Sequence, residues 1–478
     1  MSEEGVVQPK GYKENPVLLP IPPSQRFHGI MDYTWMMFGL NVCIAMFFLG
    51  PIAQSMGLSP AQAAVGAFIG NLAATVVIIL NGYVGMKYGI SYPVHLRPSW
   101  GFRGAEIAVV LRGIVGAGWY GVDTYNASLA IIIVTLYIMG YGHRNPDLIS
   151  AAAFKYVGVI VFPFVIAVAY TMLKGLKAIG KVADWAGPIL VLYFLWLLVY
   201  LHGKAPLIKV PKGVPWLSMS FLTYLANQTN WWATIALNIS DLSRGLYRDK
   251  RGLIAVVLGP LIGIVLMQVV GTLLSYYLVV FSKRVVPQTI ILYGAPGAAG
   301  IILGELFVIL APFTTAVTAD VPPLVDILVS TFKMRMKTAA IAVAIIGFIL
   351  APWWAVKNAM GIVNYVEDFA VNYGIILGPI AGIMLADYFI LRRGRGYDLQ
   401  LLYTKGPEGY WYKNGFSLSA ILTFIITIII IYAFSAAIHQ IYWTGPIPWP
   451  TCLSWYLAVV IALVLKWGLA KALHEDKP

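Results

Sequence analysis

The chain is a succession of apolar stretches, several of them longer than the ~20 residues that carry a helix across hydrocarbon. In lipid every backbone amide and carbonyl must be satisfied within the protein, so such a chain can cross only as helices or as a closed barrel. Runs of this length without strict alternation select helices. Twelve spans are read at 32–53, 60–85, 104–139, 152–173, 181–201, 217–243, 252–281, 295–330, 337–353, 357–391, 416–438 and 449–471. The expected fold is therefore an all-α polytopic membrane protein. Composition decides against a soluble domain: 59% of residues are hydrophobic and 11% charged, where soluble domains carry ~25% charge.

The net charge of +13 comes from the loops. With the N-terminus inside, lysine and arginine favour the inner loops by about three to one, as the positive-inside rule requires. This places both termini in the cytoplasm of a multi-pass protein of the cell membrane. The charge then reports the lipid bilayer as surroundings and no nucleic-acid partner. The two cysteines, Cys43 and Cys452, lie in the first and last spans, so no disulfide framework is expected. The six histidines fall at span ends or in loops, which leaves no axial pair for a membrane haem. No metal-ligand cluster or nucleophile–base constellation is visible, so the chain reads as no enzyme and no cofactor is expected. The first 30 residues lack the apolar core of a signal peptide. Five segments follow: 1–31 as an N-terminal segment, 32–201 and 202–391 as two sets of five spans, 392–415 as a cytoplasmic loop, and 416–478 as a terminal pair with its tail.

Polar groups at mid-span are costly and mark paths for solutes or ions. Trp119 and Asp123 are four residues apart in Gly118-Trp-Tyr-Gly-Val-Asp123, which puts the indole and the carboxyl on one helix face. An aromatic platform beside an acid among glycines fits a flat polar molecule. Span one carries Gly39-Leu-Asn41 and span six Asn227-Gln-Thr-Asn-Trp-Trp232-Ala-Thr. They open the two sets of five, and corresponding interrupted spans point to a transporter's binding site. In span eight, Thr314 and Thr315 offer hard oxygens to a cation, and Asp320 precedes two prolines. The competing reading is that these threonines bond back to their own helix. Asp241 and Asp387 stand beside Arg244 and the Arg392, Arg393 pair, and read as structural ion pairs. Arg112 lies about 16 Å along its helix from Asp123, too far to pair, and Asp326 is its expected partner.

Several motifs follow one another in an order that resembles the nucleobase:cation symporter-1 family, which includes hydantoin, allantoin, uracil and cytosine permeases. They are Gly85-Met-Lys-Tyr-Gly through Arg97-Pro-Ser-Trp-Gly101, Gly118-Trp-Tyr-Gly121, Asn238-Ile-Ser-Asp241, Leu377-Gly-Pro379 through Asp387, and Gly409-Tyr-Trp-Tyr-Lys-Asn-Gly415. The resemblance implies two inverted five-helix repeats with broken helices one and six, plus two C-terminal helices. It implies a secondary transporter that works by alternating access. Trp119 and Trp232 match the two indoles that sandwich a planar heterocycle, and Asn41 falls where an amide approaches it. A coupling sodium would use the carbonyls of Met37, Leu40 and Ala311 with the hydroxyls of Thr314 and Thr315; proton coupling occurs in the same family. Asp123 and Asp320 depart from the family's usual amides. A carboxylate only accepts hydrogen bonds, so the solute is expected to be donor-rich, such as cytosine, or cationic, such as thiamine, unless one acid carries a coupling proton. An amino-acid carrier of the same broader fold is the nearest rival, and two acids in the pocket oppose it.

Overall fold

The computed structural model describes residues 15–43, 46–141, 145–202, 210–282, 291–293, 295–352, 373–393, 395–406, 409–442 and 453–476. Among them the regular elements are all helices. A helix stands at each of the twelve expected positions, though the first half of the tenth lies outside the described residues. Eight are long and apolar enough to cross a membrane, and a bent pair makes a ninth.

The bent pair is the first span. Helix α1 (Ile30–Asn41) stops at Val42, which leaves the helical region, and α2 (Met46–Ser55) resumes at 49° to it. Helix α3 (Pro60–Tyr88) starts on a Ser59–Gln62 capping box. It ends at Gly89, whose φ of +70° and close approach to the Ile21 carbonyl suit glycine alone. A short helix that hydropathy did not reveal, α4 (Tyr92–Trp100), follows and is buried throughout. Helix α5 (Phe102–Ile138) has 37 residues, about 55 Å of helix, and forms the central post. It packs against α6 (Pro146–Lys174) and the eighth span. Helix α7 (Leu176–His202) lies against α1.

The sixth span is broken into α8 (Met219–Ala233), α9 (Ile235–Asn238) and α10 (Ser240–Ser243). The seventh runs from α11 (Lys250–Pro260) through a π turn into α12 (Met267–Ser282). The eighth comprises α13 (Gly297–Thr315), a π stretch at Ala316–Asp320, α14 (Val321–Asp326) and a second π stretch at Ile327–Thr331. Pro322 and Pro323 provide no N–H, so the carbonyls one turn earlier lose their helical partners. The remaining spans are α15 (Met336–Leu350), α16 (Gly374–Leu385) with its π extension to Leu391, α17 (Leu418–Tyr442) and α18 (Ser454–Ala472).

The segment before α1 is a strap across one face of the helices. Asn15 donates to the Met334 carbonyl, Tyr403 to the Leu18 carbonyl and Arg244 to the Val17 carbonyl. Phe27 and His28 both donate their amides to Gly245. On the same face Lys466, fully buried, donates to the Ser99 carbonyl and to Ser417 and Ser419. Glu475 accepts from the first amides of α17, where a carboxylate opposes the helix dipole.

Candidate functional site

The breaks in spans one, six and eight meet at the middle of α5. They border a small, partly open cavity of about 20 Å³ lined by Cys43, Trp119, Asp123, Trp231, Trp232, Thr234, Thr315 and Asp320. Each lining group comes from a place where helix geometry is interrupted. Cys43 follows the end of α1, Thr234 sits between α8 and α9, and Asp320 closes the first π stretch. Trp119 and Asp123 are the exception, one turn apart on intact helix, as their spacing predicts.

The rings are arranged asymmetrically. Trp119 meets Trp231 at 5.0 Å between centroids and 52° between planes, and Tyr373 approaches it edge-on at 6.5 Å. Trp232 is held from behind: its indole N–H donates to Gln268, Gln268 donates to Gln228, and Gln228 donates to Tyr224. Asn71 donates to the same Gln228 oxygen. Sequence reasoning named Trp232 and missed Trp231. Neighbours on a regular helix diverge by ~100°; both reach the cavity because α8 ends one residue later. The doublet itself was the signal.

Asp123 and Asp320 are 2% and 5% exposed, and their carboxyls are within hydrogen-bond reach of each other. Asp123 Oδ2 has no donor. Two carboxyls can hydrogen-bond only through a proton held by one of them. Beneath them sits Arg112, fully buried. The sequence pointed it at Asp326; the structure directs it elsewhere. Its Nε donates to the Thr234 carbonyl (2.8 Å) and Asn238 Oδ1 (2.9 Å), and its Nη2 to the Ala319 carbonyl (2.9 Å). The Ala319 carbonyl stands one turn before Pro323, which has no N–H to give it; the Thr234 carbonyl, at the span-six break, also accepts the Leu237 amide at 3.3 Å. The guanidinium thus ties span three to the irregular parts of spans six and eight. Gly116 permits this: a Cβ there would lie 2.5 Å from the Asp320 carbonyl oxygen and 3.0 Å from Arg112 Nη1.

The candidate cation ligands gather beside the cavity. Thr315 Oγ1 lies 3.2 Å from the Leu40 carbonyl and 3.1 Å from the Ala311 carbonyl; Thr314 Oγ1 lies 2.8 Å from the latter. These are neutral hard oxygens at the C-terminal end of α1, where unpaired carbonyls and the helix dipole favour a cation. Met37 is one turn earlier, packed on Gly263, and none of the described hydrogen bonds joins it to the threonines. The back-bonding foreseen for the threonines is present too, from Thr314 to the Leu310 and Ala311 carbonyls and from Thr315 to the Ala311 carbonyl. Asn41, the last residue of α1, donates to the Ile264 carbonyl at 3.0 Å and keeps Oδ1 without a partner. It is buried beside the cavity and is not among its lining residues.

Asp387 forms the ion pair its position implied, with Arg392 Nε at 3.0 Å. Asp241 does not follow that pattern. It accepts from the Tyr92 amide and from Asn238, while Arg244 Nη1 turns to the strap.

A family profile described as permeases for cytosine/purines, uracil, thiamine and allantoin matches residues 20–457. The chain is 28% identical to a purine-uracil permease of Arabidopsis thaliana, over 90% of this chain and 76% of that one. It is 27% identical to an allantoin permease of Bacillus subtilis (strain 168), over 94% and 91% of the two chains. In fold it is similar to Mhp1, a nucleobase-cation-symport-1 family transporter. Against Mhp1 closed with bromovinylhydantoin bound, the TM-score is 0.78 at 21% identity, covering 97% of this chain and 96% of that one. Against the inward-facing conformation of Mhp1 the TM-score is 0.75 at 22% identity, covering 97% and 95%.

Proposed function

The chain belongs to the family of permeases for cytosine/purines, uracil, thiamine and allantoin, and from that premise we propose that it imports a flat, donor-rich nitrogen heterocycle together with a cation. It is a multi-pass membrane transporter and not an enzyme. Cytosine and amino-substituted purines are the solutes this reading favours. The observation that carries it is the contact of two carboxyls at the rim of a ring-lined cavity.

The solute stacks on the indoles of Trp119 and Trp232, with Trp231 fixing the tilt of Trp119. Stacking contributes about 1–3 kcal/mol per ring and is blind to ring identity. Selectivity therefore rests on the edge. Asp320 accepts from ring N–H and exocyclic amino groups, Asp123 holds the shared proton, and Asn41 offers its free oxygen once span one adjusts. With one proton between the acids and Arg112 beneath Asp320, the charges sum to zero, which suits a neutral ring. Loss of that proton leaves one net negative charge and favours a cationic ring such as thiamine; this is the second reading.

Sodium at Leu40, Ala311, Thr314 and Thr315, with the Met37 carbonyl joining, would order the end of α1 and complete the site. The transport cycle then alternates access, with both termini in the cytoplasm. The test is radiolabelled uptake into proteoliposomes of cytosine, guanine, uracil, allantoin, hydantoin and thiamine, each with sodium or with choline at fixed pH. Saturable uptake of an amino-substituted base supports the reading. Uptake of none of the six, or linear non-saturating flux, overturns it; an unchanged rate in choline removes sodium.

A further inference from the structure

Three indoles line the cavity, and the third is not one of the stacking pair. Trp231 is 4% exposed and lies against Trp119 at 5.0 Å between centroids. The cavity that the three share measures about 20 Å³, room for about one water. A heterocycle enters only when part of the lining gives way, and every indole that stays takes from the space gained. We propose that Trp231 limits the solute to a single ring, because its indole fills the place beside Trp119 into which a second fused ring would extend. The inference rests on the transport reading and narrows it, from amino-substituted bases in general to one-ring bases such as cytosine.

Trp231 stays because the end of α8 is held from two sides. Thr229 donates to the Gly70 carbonyl of α3 at 2.9 Å, and the Asn230 carbonyl accepts the Tyr373 hydroxyl, at the start of α16, at 2.9 Å. Both approaches are close. A Cβ at Gly70 would stand 2.6 Å from the Leu225 carbonyl oxygen, and one at Gly374 would stand 2.8 Å from Asn230 Oδ1. The next indole, Trp232, is tethered through its N–H to Gln268. The pair on this turn of α8 is therefore a fixed wall. The adjustable wall lies opposite, where α1 ends at Asn41 and Cys43 lines the cavity.

Stacking by itself rewards the larger ring, since a fused second ring brings more π surface to an indole. A ring-lined site without a stop would take purines ahead of pyrimidines. Trp231 reverses that order by overlap with the wrong solute, with no added attraction for the right one. Its shape makes the prediction specific. Indole is a six-membered ring fused to a five-membered one, which is also the outline of a purine. Truncation at position 231 leaves a hole of that outline beside Trp119. If Trp231 only propped Trp119, truncation would weaken every solute alike.

The experiment measures initial rates of radiolabelled cytosine and guanine uptake into proteoliposomes for the wild type, Trp231→Ala and Trp231→Phe. In the wild type, kcat/KM for cytosine should exceed that for guanine by about tenfold or more, the discrimination that overlap of a small group supplies. Trp231→Ala should raise the guanine-to-cytosine ratio by about tenfold, chiefly through a lower KM for guanine, and Trp231→Phe should fall between. A wild type that prefers guanine overturns the filter and leaves the transport reading standing. So does a Trp231→Ala protein with an unchanged ratio, including one in which both rates fall in proportion. If Trp231→Ala does not insert, Trp231→Phe and Trp231→Leu carry the same ratio. Uptake of neither base by the wild type overturns the transport reading, and the filter with it.

Discussion

Asp123 and Asp387 are both buried acids on membrane-crossing helices, and they live in opposite surroundings. Asp387 is surrounded by donors: Arg392 through Nε at 3.0 Å and Nη2 at 3.4 Å, and the Tyr397 hydroxyl at 3.2 Å. Arg392 also meets Tyr412, which donates to the Pro98 carbonyl. Asp123 has another acid, three indoles and a void. Burial alone does not separate the two. The count of donors does, because a satisfied carboxylate has nothing left to offer a solute.

The largest effect should come from breaking the satisfied side. Asp387→Ala leaves Arg392 buried and unpaired, at a cost of about 3–5 kcal/mol; thermal unfolding in detergent should show a much lower midpoint and poor recovery. Trp119→Ala should act in the reverse sense. It removes a stacking surface worth about 1–3 kcal/mol, so solute affinity should drop by about 5- to 150-fold while the protein still inserts and unfolds cooperatively. Unchanged uptake in Trp119→Ala would remove the ring from the site. Asp123→Asn sharpens the contrast further, since an amide can donate to Asp320 permanently. Its stability should change by less than about 1 kcal/mol, while the order of preference among bases and the pH profile of uptake both shift. If Asp387→Asn shifts selectivity as much as Asp123→Asn does, the distinction drawn here is wrong.

The smallest effect concerns the strap. Burial pushes the His28 imidazole down to about 4, against the opposing charge of Asp32. The neutral ring is thus the docked form. Its contribution is present above the ordinary histidine value of ~6.5 and is lost as pH falls toward 4. Exchange of the Phe27 and His28 amides should therefore quicken on acidification, and His28→Gln should remove that dependence.

What the sequence made legible follows from locality. Hydropathy located the spans, and the four-residue spacing of Trp119 and Asp123 placed both on one side of the cavity. Thr315 and Asp320 were visible as polar groups where apolar ones belong. Trp231 was not, because periodicity assigns neighbours to different faces until a helix breaks. The partners of Arg112 are carbonyls, which have no signature in a list of side chains. Asp241 was read as an ion pair with Arg244 and instead accepts from the Tyr92 amide, a backbone group with no signature in the side-chain sequence. Helix α4 escaped because it is short, proline-bounded and only weakly apolar.

The strap has a consequence for biogenesis. The Tyr403 hydroxyl that donates to the Leu18 carbonyl lies 385 residues further along the chain. At roughly 5–20 residues per second on the ribosome, the beginning of the polypeptide waits about 20 to 80 s for its anchor. Its other anchors, at Arg244, Gly245 and Met334, are made earlier, so the strap is fastened in stages as the spans emerge.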